Sequence, residues 1–231
     1  MNSSNTKLII HTWLKKLNYK GLFPDDILFQ PCLLYFSDMK FNPDQLNALI
    51  RSRRSTFTQQ FIEGQKIPDE IIWQILENAN RAPTHGLTEP WRFTVFTDGG
   101  LQKLATFQSE LYKQEPVDAY REEKYQKLLT VPLKCSHIIS IGMKKSDRRI
   151  PEVEEIAAVA CAVQNMYLSI TAYEIGGYWT TGGITYNDSS KEFFGLGEQD
   201  RLMGFFYLGY IATQSPLSRR LPIKEKVRWF S

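Results

Sequence analysis

The 231-residue chain carries a formal net charge of +3, with 42% hydrophobic, 13% aromatic and 23% charged residues. This is a globular composition with enough apolar material for a real core, and its charge is too small and dispersed for a nucleic-acid surface, which needs a clustered basic face. No stretch nears the ~20 consecutive apolar residues of a membrane-spanning helix.

Residues 1–38 stand apart from the rest of the chain. Leu8-Ile9-Ile10 is cut short by His11 and Lys15-Lys16, so the pattern of a secretory signal is missing. The segment reads either as a peripheral extension or as an upstream translation, ahead of a domain over residues 39–231. Cys32, Cys135 and Cys161, like His11, His85 and His137, lack metal-ligand spacing. The cysteines read as buried thiols in a reducing cytoplasm, and no structural metal is expected.

Asn42-Pro43-Asp44-Gln45 has the form of a helix start, and Leu46, Leu49 and Ile50 predict a buried stripe. The helix runs into Arg51-Ser52-Arg53-Arg54-Ser55. This basic run is either a solvated polar face or a phosphate cradle, in which guanidinium forks and hydroxyls supply several donors to a dianion. Ile71, Ile72, Ile75, Leu76 and Ala79 predict an amphipathic helix, and Phe93 to Phe96 a strand ending at Asp98-Gly99-Gly100. Between them lies Arg81 to Trp91, longer and more polar than a helix-to-strand turn of about 2–6 residues needs to be. It is either a surface loop with a proline-fixed re-entry or a binding loop.

Leu101 to Tyr112 predicts a helix, and Lys113 to Lys127 an exposed charged excursion. Cys135 to Met143 is apolar enough for a central strand, and Met203 to Ile211, apolar throughout, predicts another. His137 reads as a packed strand residue. Pro151 to Ile175 predicts the longest helix, apolar around most of its circumference and rich in small residues, with a subunit interface along it. Gly176-Gly177 is expected to end that helix. The adjoining Tyr178-Trp179-Thr180-Thr181-Gly182-Gly183 is either a glycine-rich turn or a backbone able to approach a planar ligand closely. Gly195-Leu196-Gly197 comes after a short helix, not a strand, and reads as a helix stop.

Arg53-Arg54-Ser55 at a helix end, the Arg81-Ala82-Pro83 loop closing with Pro90-Trp91, the Trp179 segment after the long helix, and Tyr207-Leu208-Gly209-Tyr210 together resemble the nitroreductase family. The similarity is to its short, single-domain NAD(P)H-dependent branch and covers about Met39 to Phe230. It implies an α+β fold with a mostly antiparallel sheet flanked by helices, and a homodimer with FMN at the subunit interface, each site taking residues from both chains. By position, Arg53, Arg54 and Ser55 would hold the FMN phosphate and the ribityl or pyrimidine edge. Arg81 and His85 would meet the flavin from the central loop, and Trp179, Thr180, Thr181 and Gly182 would pass along the isoalloxazine. Arg219 is the candidate for a remote phosphate contact. Two departures stand out: Glu89 where relatives often carry Gln, and Thr84-His85 where a loop amide is frequent.

The resemblance further implies ping-pong turnover, hydride passing from NAD(P)H to flavin N5 and then to a nitroaromatic, quinone-like or other electron-poor acceptor. No catalytic side chain is required by that chemistry. Alternatives are a specialised flavoenzyme of the same fold, such as a reductive dehalogenase or a flavin-destroying enzyme, and a non-catalytic flavin-binding protein.

Overall fold

The computed structural model describes residues 40–114, 120–216 and 218–231. The extension read at residues 1–38, and Cys32 within it, lie outside the described residues. The chain divides into two units, Met1–Pro43 and Asp44–Ser231, and the second carries the sheet and the helices packed on it.

Five helices and four strands succeed one another among the described residues: α1 (Pro43–Ser52), α2 (Asp69–Ala79), β1 (Trp91–Thr97), α3 (Gly99–Tyr112), α4 (Glu122–Thr130), β2 (His137–Met143), α5 (Glu152–Ala172), β3 (Ile175–Thr180) and β4 (Arg201–Tyr210). The strands form one sheet in the order β1-β2-β4-β3, every pair antiparallel. β2 and β4 are therefore central, as their largely apolar sequences predict.

Side chains alternate across the sheet because the strand period is two. Ile139, Ile141 and Met143 of β2 join Phe206 and Leu208 of β4 in a core with Ile72, Ile75 and Ala79 of α2 and Val159, Ala162, Val163 and Met166 of α5. Their sequence neighbours Ile138, Phe205 and Tyr207 instead pack with Leu101, Leu104 and Leu111 of α3. The result is an α+β fold: a sheet with α2 and α5 on one face and α3 on the other. Each fully buried aliphatic or aromatic side chain contributes about 1.5–3 kcal/mol. Polar ties fix α2 on α5: Asn78 Nδ2 donates to Ser169 Oγ at 2.9 Å, and Asn165 Nδ2 to the Asn78 carbonyl at 3.0 Å.

His137 is a packed strand residue, 1% exposed. Its Nδ1 lies 2.8 Å from Ser136 Oγ and its Nε2 3.3 Å from Asp69 Oδ1. Gly195 stops the short 3-10 helix Asp188–Phe194 in the left-handed region at φ 68°, as read from sequence. The charged excursion contains α4, and residues 115–119 of it lie outside the described residues.

Three expectations need correction. The α1 stripe is not buried: Leu46 is 52% and Ile50 49% exposed, and nothing described in the same chain covers them. Gly176 and Gly177 do not end the long helix; they lie inside β3. The helix closes earlier, at Tyr173-Glu174, with Glu174 at φ 57° where glycine is usual. The glycines serve packing, since a Cβ on Gly177 would sit 2.8 Å from the Tyr207 carbonyl oxygen and 2.9 Å from Ile170 Cδ1. Cys135 is buried, but Cys161 is exposed on α5.

Candidate functional site

α1 ends at Ser52, and the chain continues extended alongside β3, where Thr56 N donates to the Gly177 carbonyl at 3.1 Å. This passage places Arg53, Arg54 and Ser55, all half-buried, against the end of β3. Arg53 stacks its guanidinium over the Tyr167 ring of α5, 5.1 Å from the centroid. Arg54 Nη1 donates to the Arg51 and Arg53 carbonyls at 2.6 and 2.9 Å, curling back over the helix end. Ser55 Oγ lies 3.4 Å from the Tyr167 hydroxyl, which accepts the Trp179 backbone N–H at 2.7 Å. Among the described residues neither Arg53 nor Arg54 forms an ion pair with an acidic side chain.

Trp179 is anchored at its other end by Nε1 donating to the Met203 carbonyl at 2.8 Å. Trp179 and Thr180 are half-buried in β3, while Thr181 and Gly182 emerge into solvent. Thr180 Oγ1 accepts the Gly182 N–H at 3.3 Å, and Thr185 Oγ1 donates to the Gly182 carbonyl at 2.9 Å, closing the turn. A Cβ on Gly182 would meet only Thr180 Oγ1 at 3.5 Å. Nothing in its own chain requires glycine there, which leaves room for something outside the chain. Tyr178, earlier in β3 with its ring stacked on Tyr207, is held as a neutral phenol, burial pushing its pKa up to about 12.

The central loop is built, not slack. A 3-10 turn spans His85–Leu87, and Gly86, Leu87 and Glu89 all take positive φ, at 58°, 55° and 44°. Thr84 Oγ1 lies 2.9 Å from Thr88 Oγ1 and accepts the Glu89 N–H at 3.3 Å. Arg148 reaches the Gly86 carbonyl. Trp91 opens β1, buried, its Nε1 donating to Asn80 Oδ1 at 2.9 Å, so Pro90-Trp91 does fix the return into the sheet. Non-glycine residues in the left-handed region cost of order 1–3 kcal/mol each and persist only where the surroundings hold them. The surroundings here are the basic turn before α5 and the threonine pair.

His85 Nδ1 pairs with Glu154 near the start of α5, and Arg81 is exposed close to it in sequence. Tyr167 lies near the other end of that helix, ~20 Å away at 1.5 Å per residue. One chain thus brings Arg53, Ser55 and Trp179 together and keeps His85 at the far end of α5. The C-terminal segment reaches this cluster through Ser215, whose Oγ donates to the Ser55 carbonyl at 2.8 Å. Arg219, further on, is exposed. Tyr167 and Ser215 are the residues the sequence did not announce. Tyr167 sits half-buried in the apolar helical stripe of α5, where its spacing reads as core packing.

α5 leaves one stripe uncovered: Val153, Ala157, Cys161 and Gln164 are exposed at helical spacing, with Ala160 and Leu168 half-exposed beside them. No described helix is long and apolar enough to cross a membrane.

A model described as the nitroreductase family matches residues 50–210. The chain belongs to the nitroreductase family. Among curated relatives, the Escherichia coli K12 protein named "Putative NAD(P)H nitroreductase YdjA" is 30% identical over 155 residues, covering 66% of this chain and 82% of that protein. Among solved structures, a nitroreductase-like family protein from Bacillus cereus aligns with a TM-score of 0.69 at 24% identity, over 83% of this chain and 98% of the other. The FMN-dependent nitroreductase NfnB from Mycobacterium smegmatis, solved with NADPH, aligns with a TM-score of 0.64 at 16% identity, over 81% and 99%. The nitroreductase fold thus accounts for β1 to β4 and the helices packed on them.

Proposed function

We propose that this nitroreductase family member is an FMN-dependent NAD(P)H oxidoreductase that reduces electron-poor small molecules, nitroaromatic or quinone-like, as a cytoplasmic homodimer. One observation carries the reading. Two half-buried guanidinium groups without acidic partners among the described residues, and a serine hydroxyl, are gathered beside the edge of β3. Such a donor set suits a phosphate dianion, to which arginine binds bidentately. The residues fit FMN on this count, and the open space at Gly182 fits a planar ring lying along β3. The relatives named for NAD(P)H and FMN support the same assignment.

When bound, FMN supplies acceptance of hydride from the nicotinamide and its delivery to the second substrate. The chain's own residues bind and orient. Arg53, Arg54 and Ser55 hold the phosphate end, with Arg219 of the exposed tail as a further phosphate contact. Trp179, Thr180, Thr181 and Gly182 form one wall. Arg81 and His85 belong to the second copy's contribution, since ~20 Å of helix separates His85 from Arg53's partner Tyr167 within one chain. A copy packed on the uncovered α5 stripe and on Leu46 and Ile50 brings the two halves to one site. The small residues of that stripe permit close approach of two helices.

Purified protein is expected to carry yellow flavin absorbance, or to gain it with added FMN, to be bleached anaerobically by NADH or NADPH, and to run as a dimer in light scattering. Protein that takes up no FMN and oxidises neither nicotinamide with any electron-poor acceptor overturns the proposal. Flavin that stays oxidised under both nicotinamides supports the non-catalytic alternative.

A further inference from the structure

We infer that Tyr167 is the positioning residue of the phosphate end of the site, a role that rests on the proposed binding of FMN. Among the described residues β3 is an edge strand, paired with β4 on one side only. Its free edge presents the Trp179 N–H and the Gly177 carbonyl, and both are satisfied from outside the sheet: by the Tyr167 hydroxyl at 2.7 Å and by the Thr56 N–H at 3.1 Å. The same phenol lies 3.4 Å from Ser55 Oγ, and its ring carries the Arg53 guanidinium. One side chain therefore joins three chain segments: the chain just after α1, the C-terminal part of α5 and the end of β3.

The ring and the hydroxyl have separable duties. The ring sets where Arg53 sits, for Arg53 has no acidic partner among the described residues to fix it, and a cation over an aromatic face holds without neutralising the charge. An arginine held by a carboxylate would have its charge spent; one held by a ring keeps its donors for an incoming dianion. The hydroxyl sets the edge of β3, accepting from Trp179 and reaching Ser55. The ring is itself fixed, meeting Phe206 of β4 at 4.8 Å and an interplanar angle of 78°. α5 carries this post on a rigid element, packed on the core through Val163, Met166 and Ile170.

The experiment compares FMN with riboflavin, which lacks the phosphate, by fluorescence titration of wild type, Tyr167→Phe, Tyr167→Leu, Arg53→Gln and the Arg53→Gln/Tyr167→Leu double variant, each checked for folding by circular dichroism. Tyr167→Leu is expected to weaken FMN about tenfold or more, as befits a misplaced charged hydrogen bond, while riboflavin affinity changes much less. Tyr167→Phe keeps the ring and is expected to keep the preference for FMN over riboflavin, losing affinity for both alike. The double variant is expected to bind FMN more weakly than Arg53→Gln only by the loss that Tyr167→Phe shows alone, the mark of ring and guanidinium acting as a unit. Equal loss of FMN and riboflavin in Tyr167→Leu, wild-type affinity in that variant, or additive losses in the double variant would overturn the inference while leaving FMN binding intact. Failure of wild type to bind FMN overturns the reading beneath it.

Discussion

Gly204 offers the sharpest test of how the sheet holds the site. It lies in β4 at φ 112°, and a Cβ built there would sit 2.2 Å from the Thr180 carbonyl oxygen and 3.0 Å from Trp179 Nε1. The clashing atom is backbone, so no rotamer change relieves it. Reaching ordinary contact means that the end of β3 retreats by roughly 1 Å. Overpacking of this kind costs about 1–3 kcal/mol, and a non-glycine residue at that φ adds about 1–3 more, so Gly204→Ala should lose about 2–6 kcal/mol. Urea unfolding followed by tryptophan fluorescence measures it: with a slope of about 2 kcal/mol/M the midpoint falls by about 1–3 M. Gly99→Ala is the control, because a Cβ at the first residue of α3 meets nothing within 4 Å. A Gly204→Ala midpoint within about 0.5 M of wild type, a bound of about 1 kcal/mol, would show the reasoning wrong, as would an equal loss in the control.

Two further outcomes arise from buried groups. Burial lowers the His137 pKa below its ordinary 6.5, against the opposing pull of Asp69. The folded state resists a proton that the unfolded chain accepts, so stability is full above pH 6.5 and is lost as pH falls through the depressed value. Unfolding midpoints between about pH 7.5 and 5.5 should fall more steeply in wild type than in His137→Gln, and parallel curves would refute this. Burial also pushes the Cys135 thiol up to about 12, so iodoacetamide at neutral pH should leave it unlabelled by peptide mass spectrometry. Cys161 on the uncovered α5 stripe should label in separated monomers and be shielded in the dimer; equal labelling at every protein concentration counts against the α5 interface.

Much of this fold is legible because strong periodicity leaves few options. Ala162, Val163 and Ile170 on α5, and the largely apolar runs of β2 and β4, each demand burial on the faces where the structure buries them. β3 is not legible. Its Gly176-Gly177 has the appearance of a helix stop, whereas the stop is made by Glu174 in a conformation that no local residue preference announces. Gly177 answers to crowding from Tyr207 and Ile170, and Gly176 to crowding from Ile211, Thr56 and Phe61, which lie along the chain in opposite directions. The site divides in the same way. Arg53, Arg54, Ser55 and Trp179 are readable as residue types suited to a phosphate and a planar ring. The post that assembles three of them, Tyr167, reads only as one more member of a helical stripe, since cation–π and edge-strand contacts leave no spacing in a sequence. The α1 stripe misleads for a related reason: amphipathicity says that a face is apolar, not what covers it.

The free edge of β3 has a consequence beyond ligand binding. An exposed strand edge is a template for another strand, and proteins guard such edges against runaway association. Here the guards are Thr56 and Tyr167, the latter a residue of the proposed site. Selection on solubility and selection on the site therefore fall on the same phenol, and a lineage that abandoned the chemistry would still have reason to keep it.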